Sequence, residues 1–451
     1  MRKLTQLASA VVMAMTYSQL QAMNLTEAIQ STLDSHPELQ ADINSRLSAD
    51  EEVNIAKGGY LPSVDLLLGY GREYTDSPTT RALGGHHTET LNAGNAELRL
   101  RQKLFDGFNT PNEVDRTEAI VNARAYRVQG GAQSLALQTV QVYLDVLKRR
   151  EMLVLAQNNL QAHLRINDQI AQRSQQGVGS SADGDQSEAR RALAENNLYT
   201  EQVNLADAVA NFISVVGRQP DELETPASLR GELPANLLEA QQRVVANNPY
   251  LKSAQADVQA AQEQYEIAKS PFYPRFDAEL ATSANDNLSG TPGHDNDWRA
   301  AVVMNYNLFN GTRDKARLRS SAHQINQALD IRNNALRQLN ENLKLAWNAM
   351  DNARLQTPKA RDYADYTARV REAYQQQFSL GQRTLLDLLD SENELFTANR
   401  RYAEVRYTEE YSMYRVLAAT GELLQKKNIP LPAAATALAD VQSEARLPEM
   451  Q

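Results

Sequence analysis

The chain has 451 residues, 42% of them hydrophobic but only 6% aromatic, and a formal net charge of -10. So few aromatic residues make a thin supply for one large globular core, and an acidic balance with no basic tract argues against nucleic acid as a partner. The absence of cysteine excludes disulfides, thiolate metal sites, cysteine nucleophiles and an acylated N-terminal cysteine.

The first residues, MRKLTQLASAVVMAMTYSQLQA, place Arg2 and Lys3 before an apolar run over residues 7–15. This reads as a secretory signal over residues 1–22, with an ordinary N-terminal helix as the alternative. No later segment supplies the roughly 18 consecutive apolar residues of a membrane helix. A membrane crossing would therefore be made by strands.

From Asn24 the pattern predicts a helix running past His36 and Pro37 to about Lys57, matched 212 residues later by the stretch that holds Asn248, Pro249 and Lys269. Residues 61–105 and 273–309 each predict a hairpin. Val64, Leu66, Leu68 and Tyr70 alternate with mostly polar neighbours, as do Leu98 and Leu100, Phe276 to Leu280, and Trp298 to Leu308. Runs of roughly 9–11 residues at period two suit one crossing of a membrane barrel, although a hairpin lying on a soluble core reads the same way. The joining segments are rich in Gly, Pro, Asn and Asp, as exposed loops are, and the first carries His86 and His87, read as solvated.

Beyond the FDG and FNG corners at Phe105 and Phe309 come long helical stretches, residues 110–176 and 312–380. Leu329, Leu336, Leu343 and Met350 recur every seventh residue, and Ala125, Ala132, Thr139 and Val146 hold the same register 204 residues earlier. Such seams predict helices packed side by side, each near 100 Å long at ~1.5 Å per residue. Pro358 interrupts the second and not the first, so the two should differ there by a kink. A glycine turn follows each, then a helix over residues 181–217 or 384–420. Gly177, Ser180, Asp183 and Gly217 stand under Gly381, Thr384, Asp387 and Gly421. The chain thus holds two tandem repeats, residues 23–230 and 231–428, each a hairpin plus long coiled-coil helices. The alanine- and proline-rich tail, residues 429–451, is expected to be flexible. The fold class is mainly α with a small β part. Four strands cannot close a membrane barrel, and open edges are not tolerated in lipid, so several chains would have to share one.

This order of elements, and above all QFSLGQRTLLDLLD at residues 377–390, resembles the TolC family of outer-membrane channel proteins. The resemblance covers residues 24–428. It implies a homotrimer: a twelve-stranded barrel in the outer membrane on a periplasmic α-helical barrel. It also implies a periplasmic adaptor and an inner-membrane ABC transporter or another exporter as partners. Within the family the likeness points to type I secretion of large proteins, in the adhesin-exporting branch. Multidrug efflux is the alternative, and a soluble periplasmic coiled-coil scaffold is the alternative of another class.

Asp387 and Asp390 lie three apart and can share a helix face; in a closed trimer they would form two stacked carboxylate rings, and the resemblance puts the periplasmic gate there. Helix capping with Thr384 explains Asp387 equally, as capping with Ser180 explains Asp183, and Asp390 could be a solvated face. By resemblance Phe378 and Arg383 belong to the latch that holds the inner helices shut, with phenylalanine where tyrosine is usual. The turns with Gly177, Val178, Gly179 and Ser180, and with Leu380 and Gly381, are candidate adaptor-docking tips, though sharp reversal alone accounts for the glycines. Trp298, Tyr306 and Phe309 are candidates for an interfacial aromatic belt or for buried packing. No HExxH, GxSxG or P-loop occurs, so neither catalytic residues, a metal site nor a cofactor is expected.

Overall fold

A computed structural model describes residues 22–82, 88–176 and 180–447. The signal segment, His86, His87, Gly177, Val178 and Gly179 lie outside the described residues. The α-helices are α1 (Leu25–Ser35), α2 (Pro37–Gly58), α3 (Pro78–Ala82), α4 (Asn109–Gln175), α5 (Ser181–Val216), α6 (Leu237–Asn247), α7 (Pro249–Ile267), α8 (Arg313–Ser379), α9 (Leu385–Thr420) and α10 (Leu423–Lys426). The strands are β1 (Ser63–Thr75), β2 (Glu89–Phe105), β3 (Arg275–Asp286) and β4 (His294–Asn305).

The helix expected across His36 is two helices, because the extended backbone at His36 closes α1 before Pro37. Asn248 does the same before Pro249, its side chain accepting from the Tyr250 and Leu251 amides. A residue before proline is driven out of the α region, so these breaks are built into the sequence. Pro358, by contrast, ends nothing. It lies inside α8, which runs 67 residues, as α4 does.

Two compact units divide the chain, and neither coincides with a repeat, since each draws on both. The first joins residues up to 36 with 135–233 and 348–414. Its core is the expected seam: Thr139, Val146, Ala156, Met350, Ala353, Leu388, Ala398 and Val405 are all buried. Buried Tyr143 packs on Phe212, and its hydroxyl lies 2.7 Å from the carbonyls of both Met23 and Glu224.

The second unit joins residues 37–134, 234–347 and 415–447. It carries a four-stranded antiparallel sheet in the order β1-β2-β3-β4. Pairings Leu66↔Leu98, Leu100↔Leu280 and Leu280↔Ala300 put Val64, Leu66, Leu68, Leu98, Leu100, Leu280, Val302 and Met304 on one face. Asp65, Glu97, Arg99, Arg101, Asp277, Glu279 and Arg299 occupy the other. On that polar face Arg101 and Arg299 both reach Glu279, at 3.1 and 3.4 Å. The apolar face has no cover among the described residues: Leu66 and Leu68 are 65% and 68% exposed. At the strand-to-helix corners Gly107, Phe108, Gly311 and Thr312 all have left-handed backbones. Asp106 then caps α4 through the Thr110 amide.

The tail, expected to be flexible, is packed against helices over its described residues, up to 447. Leu438 and Ala439 donate their amides to Asn122 Oδ1 at 2.7 and 3.2 Å, and Val441 donates to the Tyr126 hydroxyl at 3.0 Å. Val441 packs with Ala123, Tyr126 and Ala256, while Ala445 and Leu447 pack with Leu251 and Leu336. An Ala/Pro composition signalled looseness, but small side chains also let a strand of chain lie close against helices.

Candidate functional site

The α8–α9 turn is shaped by backbone chemistry. Gly381 has φ 73°, the left-handed state that closes a helix end, and the Gln382 amide donates to the Gln377 carbonyl at 2.9 Å. Thr384 and Asp387 then form a reciprocal cap: the Asp387 amide donates to Thr384 Oγ1, and Asp387 Oδ2 accepts from the Thr384 amide and hydroxyl, at 3.2, 3.3 and 2.8 Å. These Thr384 hydrogen bonds, helped by Arg383 at 3.8 Å, hold the Asp387 carboxyl below the usual range. At the matching turn Ser180 accepts from the Ala182 amide, and no reach-back from Asp183 is formed among the described residues.

Phe378 is buried, packed with Ile166, Ile170, Leu385, Leu388 and Leu389. The Arg173 guanidinium of α4 lies 4.4 Å from its ring centre and donates to its carbonyl at 3.3 Å. Arg383 stacks 4.2 Å from the Tyr374 ring and donates to Gln377 Oε1 at 2.9 Å. Asp390 accepts from Arg190 of α5 at 2.9 Å. In the same bundle, buried His163 leaves Nδ1 without a hydrogen bond, and burial, then the nearby Arg190 charge, push its pKa down.

The structure therefore brings Asp387, Asp390, Arg383 and Phe378 together at one turn. Leu380 and Gly381 are exposed there, as is Ser180 at the other turn. Trp298, Tyr306 and Phe309 lie elsewhere, on and just beyond β4, exposed rather than packed away. Sequence reading missed Arg173, Arg190, Tyr374 and His163. A usable signal existed for the two arginines: their positions 204 residues on hold Gln377 and Glu394, so the repeat breaks its own charge pattern where the helices are tied.

Comparison with known proteins identifies the family. The model of the outer membrane efflux protein family matches residues 28–218 and 240–422. Outer membrane efflux protein BepC of Brucella suis biovar 1 (strain 1330) is 28% identical, over 92% of this chain and 90% of its own. Outer membrane protein TolC of Escherichia coli (strain K12) is 25% identical over 96% and 89%. Proteases secretion protein PrtF of Dickeya chrysanthemi is 25% identical over 88% of both. Among solved structures, the Campylobacter jejuni CmeC outer membrane channel superposes with a TM-score of 0.78 at 14% identity, over 90% of each chain. The soluble-scaffold alternative is thereby set aside. The chain belongs to the outer membrane efflux protein family, the TolC family of outer-membrane channels that extend into the periplasm.

Proposed function

We propose that three copies of this chain pool their sheets into a twelve-stranded barrel and serve as the exit duct for an inner-membrane ABC transporter coupled through a periplasmic adaptor. The observation that carries this reading is the two-faced sheet. Among the described residues its β1 and β4 edges are unpaired, one face is apolar and exposed, and the other is charged. Open edges are not stable in lipid, and four strands are half the number of the smallest barrels. Trp298, within β4, and Tyr306 and Phe309, just beyond it, are exposed aromatic side chains that suit an interfacial belt.

The gate in this reading is the α8–α9 turn. Asp387 and Asp390 from each copy face the tunnel, and Arg383 and Phe378 hold the turn in its closed packing. The ties from Arg173 to Phe378 and from Arg190 to Asp390 join the first repeat's helices to the second's. Gly177, Val178, Gly179, Ser180, Leu380 and Gly381 meet the adaptor. The proposed cargo is a large secreted protein of the adhesin type, supported by the likeness to a protease-secretion protein. The name of the BepC relative, an outer membrane efflux protein, favours efflux as the second reading, taken as drug efflux. Deleting the gene separates them: retention of a large surface adhesin with unchanged drug susceptibility supports secretion, and the reverse supports efflux.

A further inference from the structure

The β1–β2 hairpin outruns its neighbour. Its last pair is Thr75↔Glu89, whereas β3 ends at Asp286 opposite Gly94. The β3–β4 turn, residues 287–293, leans onto that overhang instead of continuing its own strands. Asn287, Ser289, Gly290 and Gly293 have positive φ, and the turn closes on itself through the Asn287 amide on the Gly293 carbonyl, 2.8 Å, and the Gly293 amide on Asn287 Oδ1, 2.9 Å. Ser289 donates its amide to Glu73 Oε2 at 3.2 Å, and Asn287 Nδ2 donates to the Asn92 carbonyl at 3.2 Å. Gly290 sits so close that a Cβ there would lie 2.6 Å from Thr80 Cγ2 and 2.8 Å from Thr75 Cβ.

The side of the sheet is decided by alternation. Glu73 and Thr75 share the face of Asp65, whose partner Arg99 and neighbour Glu97 belong to the charged set. The turn therefore lies over the polar face of the other hairpin, not beside the lipid face. Its ties to that hairpin are two hydrogen bonds and one glycine contact, with no ion pair among the described residues.

We propose that residues 287–293, resting on α3, form a strap across the outer mouth of the pore that must swing aside for bulky cargo. This rests on the reading that the polar face lines the pore, and it adds a constriction of its own beside the one proposed at the α8–α9 turn. Small solutes pass beside the strap; a folded or partly folded polypeptide displaces it, pivoting at Gly293 and releasing Glu73.

The chain has no cysteine, so Ala281→Cys places one thiol on the polar face midway along β3. Full-length protein in intact outer membranes is labelled from outside with a small impermeant maleimide and with a bulky polyethylene-glycol maleimide. The small reagent should label Ala281→Cys readily. The bulky one should label it slowly, severalfold faster when Glu73→Ala is added, and faster still when residues 288–291 are deleted. Equal bulky labelling with and without the strap, or exclusion in all three proteins, overturns the proposal. Failure of the small reagent at Ala281→Cys, with labelling of Leu280→Cys instead, would overturn the pore-lining reading on which it rests.

Discussion

Tyr126→Phe removes one oxygen from the place where the C-terminal tail is held. That hydroxyl accepts the Val441 amide at 3.0 Å and sits 3.2 Å from Asp440 Oδ1, which also takes Lys252 Nζ at 3.0 Å. Tyr126 and Val441 are both buried, so the amide has no water to turn to. Leaving a buried donor unsatisfied costs about 1–3 kcal/mol. Because each 1.4 kcal/mol is a factor of ten, opening of the tail should rise roughly fivefold to a hundredfold. Hydrogen exchange read by mass spectrometry on peptides covering residues 436–447 measures that opening directly. Exchange should accelerate there and stay unchanged around the α8–α9 turn. Asn122→Ala, which strips the acceptor from two tail amides, should do the same independently. Wild-type exchange rates in both variants would refute the docking and restore a flexible tail.

Other perturbations read different parts of the structure. Gly107→Ala and Gly311→Ala both force a left-handed alanine, about 1–2 kcal/mol, but only at Gly107 would the new Cβ lie 2.5 Å from the Ser270 carbonyl oxygen. Thermal melting should therefore rank Gly107→Ala clearly below Gly311→Ala, and equal losses would contradict the corner geometry. Asp390→Ala should raise single-channel conductance in planar bilayers and weaken block by multivalent cations; no change would remove Asp390 from the gate. Because the pKa of His163 is depressed in the folded chain, its contribution to stability is complete above the unfolded value of ~6.5 and is lost as pH falls through the folded one. His163→Leu should then flatten the acid-induced rise in hydrogen exchange of residues 155–170, and an unchanged pH profile would show that His163 does not titrate there.

Much of the fold was legible because it is written in periods. The seven-residue spacing of Leu336, Leu343 and Met350 and the alternation of Val64, Leu66 and Leu68 report directly which side of an element is apolar. The caps at Asn24, Asn236 and Thr384 are equally local, a side chain meeting an amide three residues on. Pro358 is carried inside α8, as the expected long helix over residues 312–380 requires. The tail misled because nothing in the alanines and prolines of residues 430–437 states that Asn122 and Tyr126, some 315 positions away, will hold residues 438–441. The turn's acids and Arg383 were visible, but Arg190 acquires meaning only once α5 and α9 lie side by side.

The number of copies in the membrane-extracted protein bears most directly on the account. Native mass spectrometry of the full-length protein released from detergent micelles should give three chains. A monodisperse single chain, stable in water without detergent and with its hairpins covered by its own residues, would contradict it.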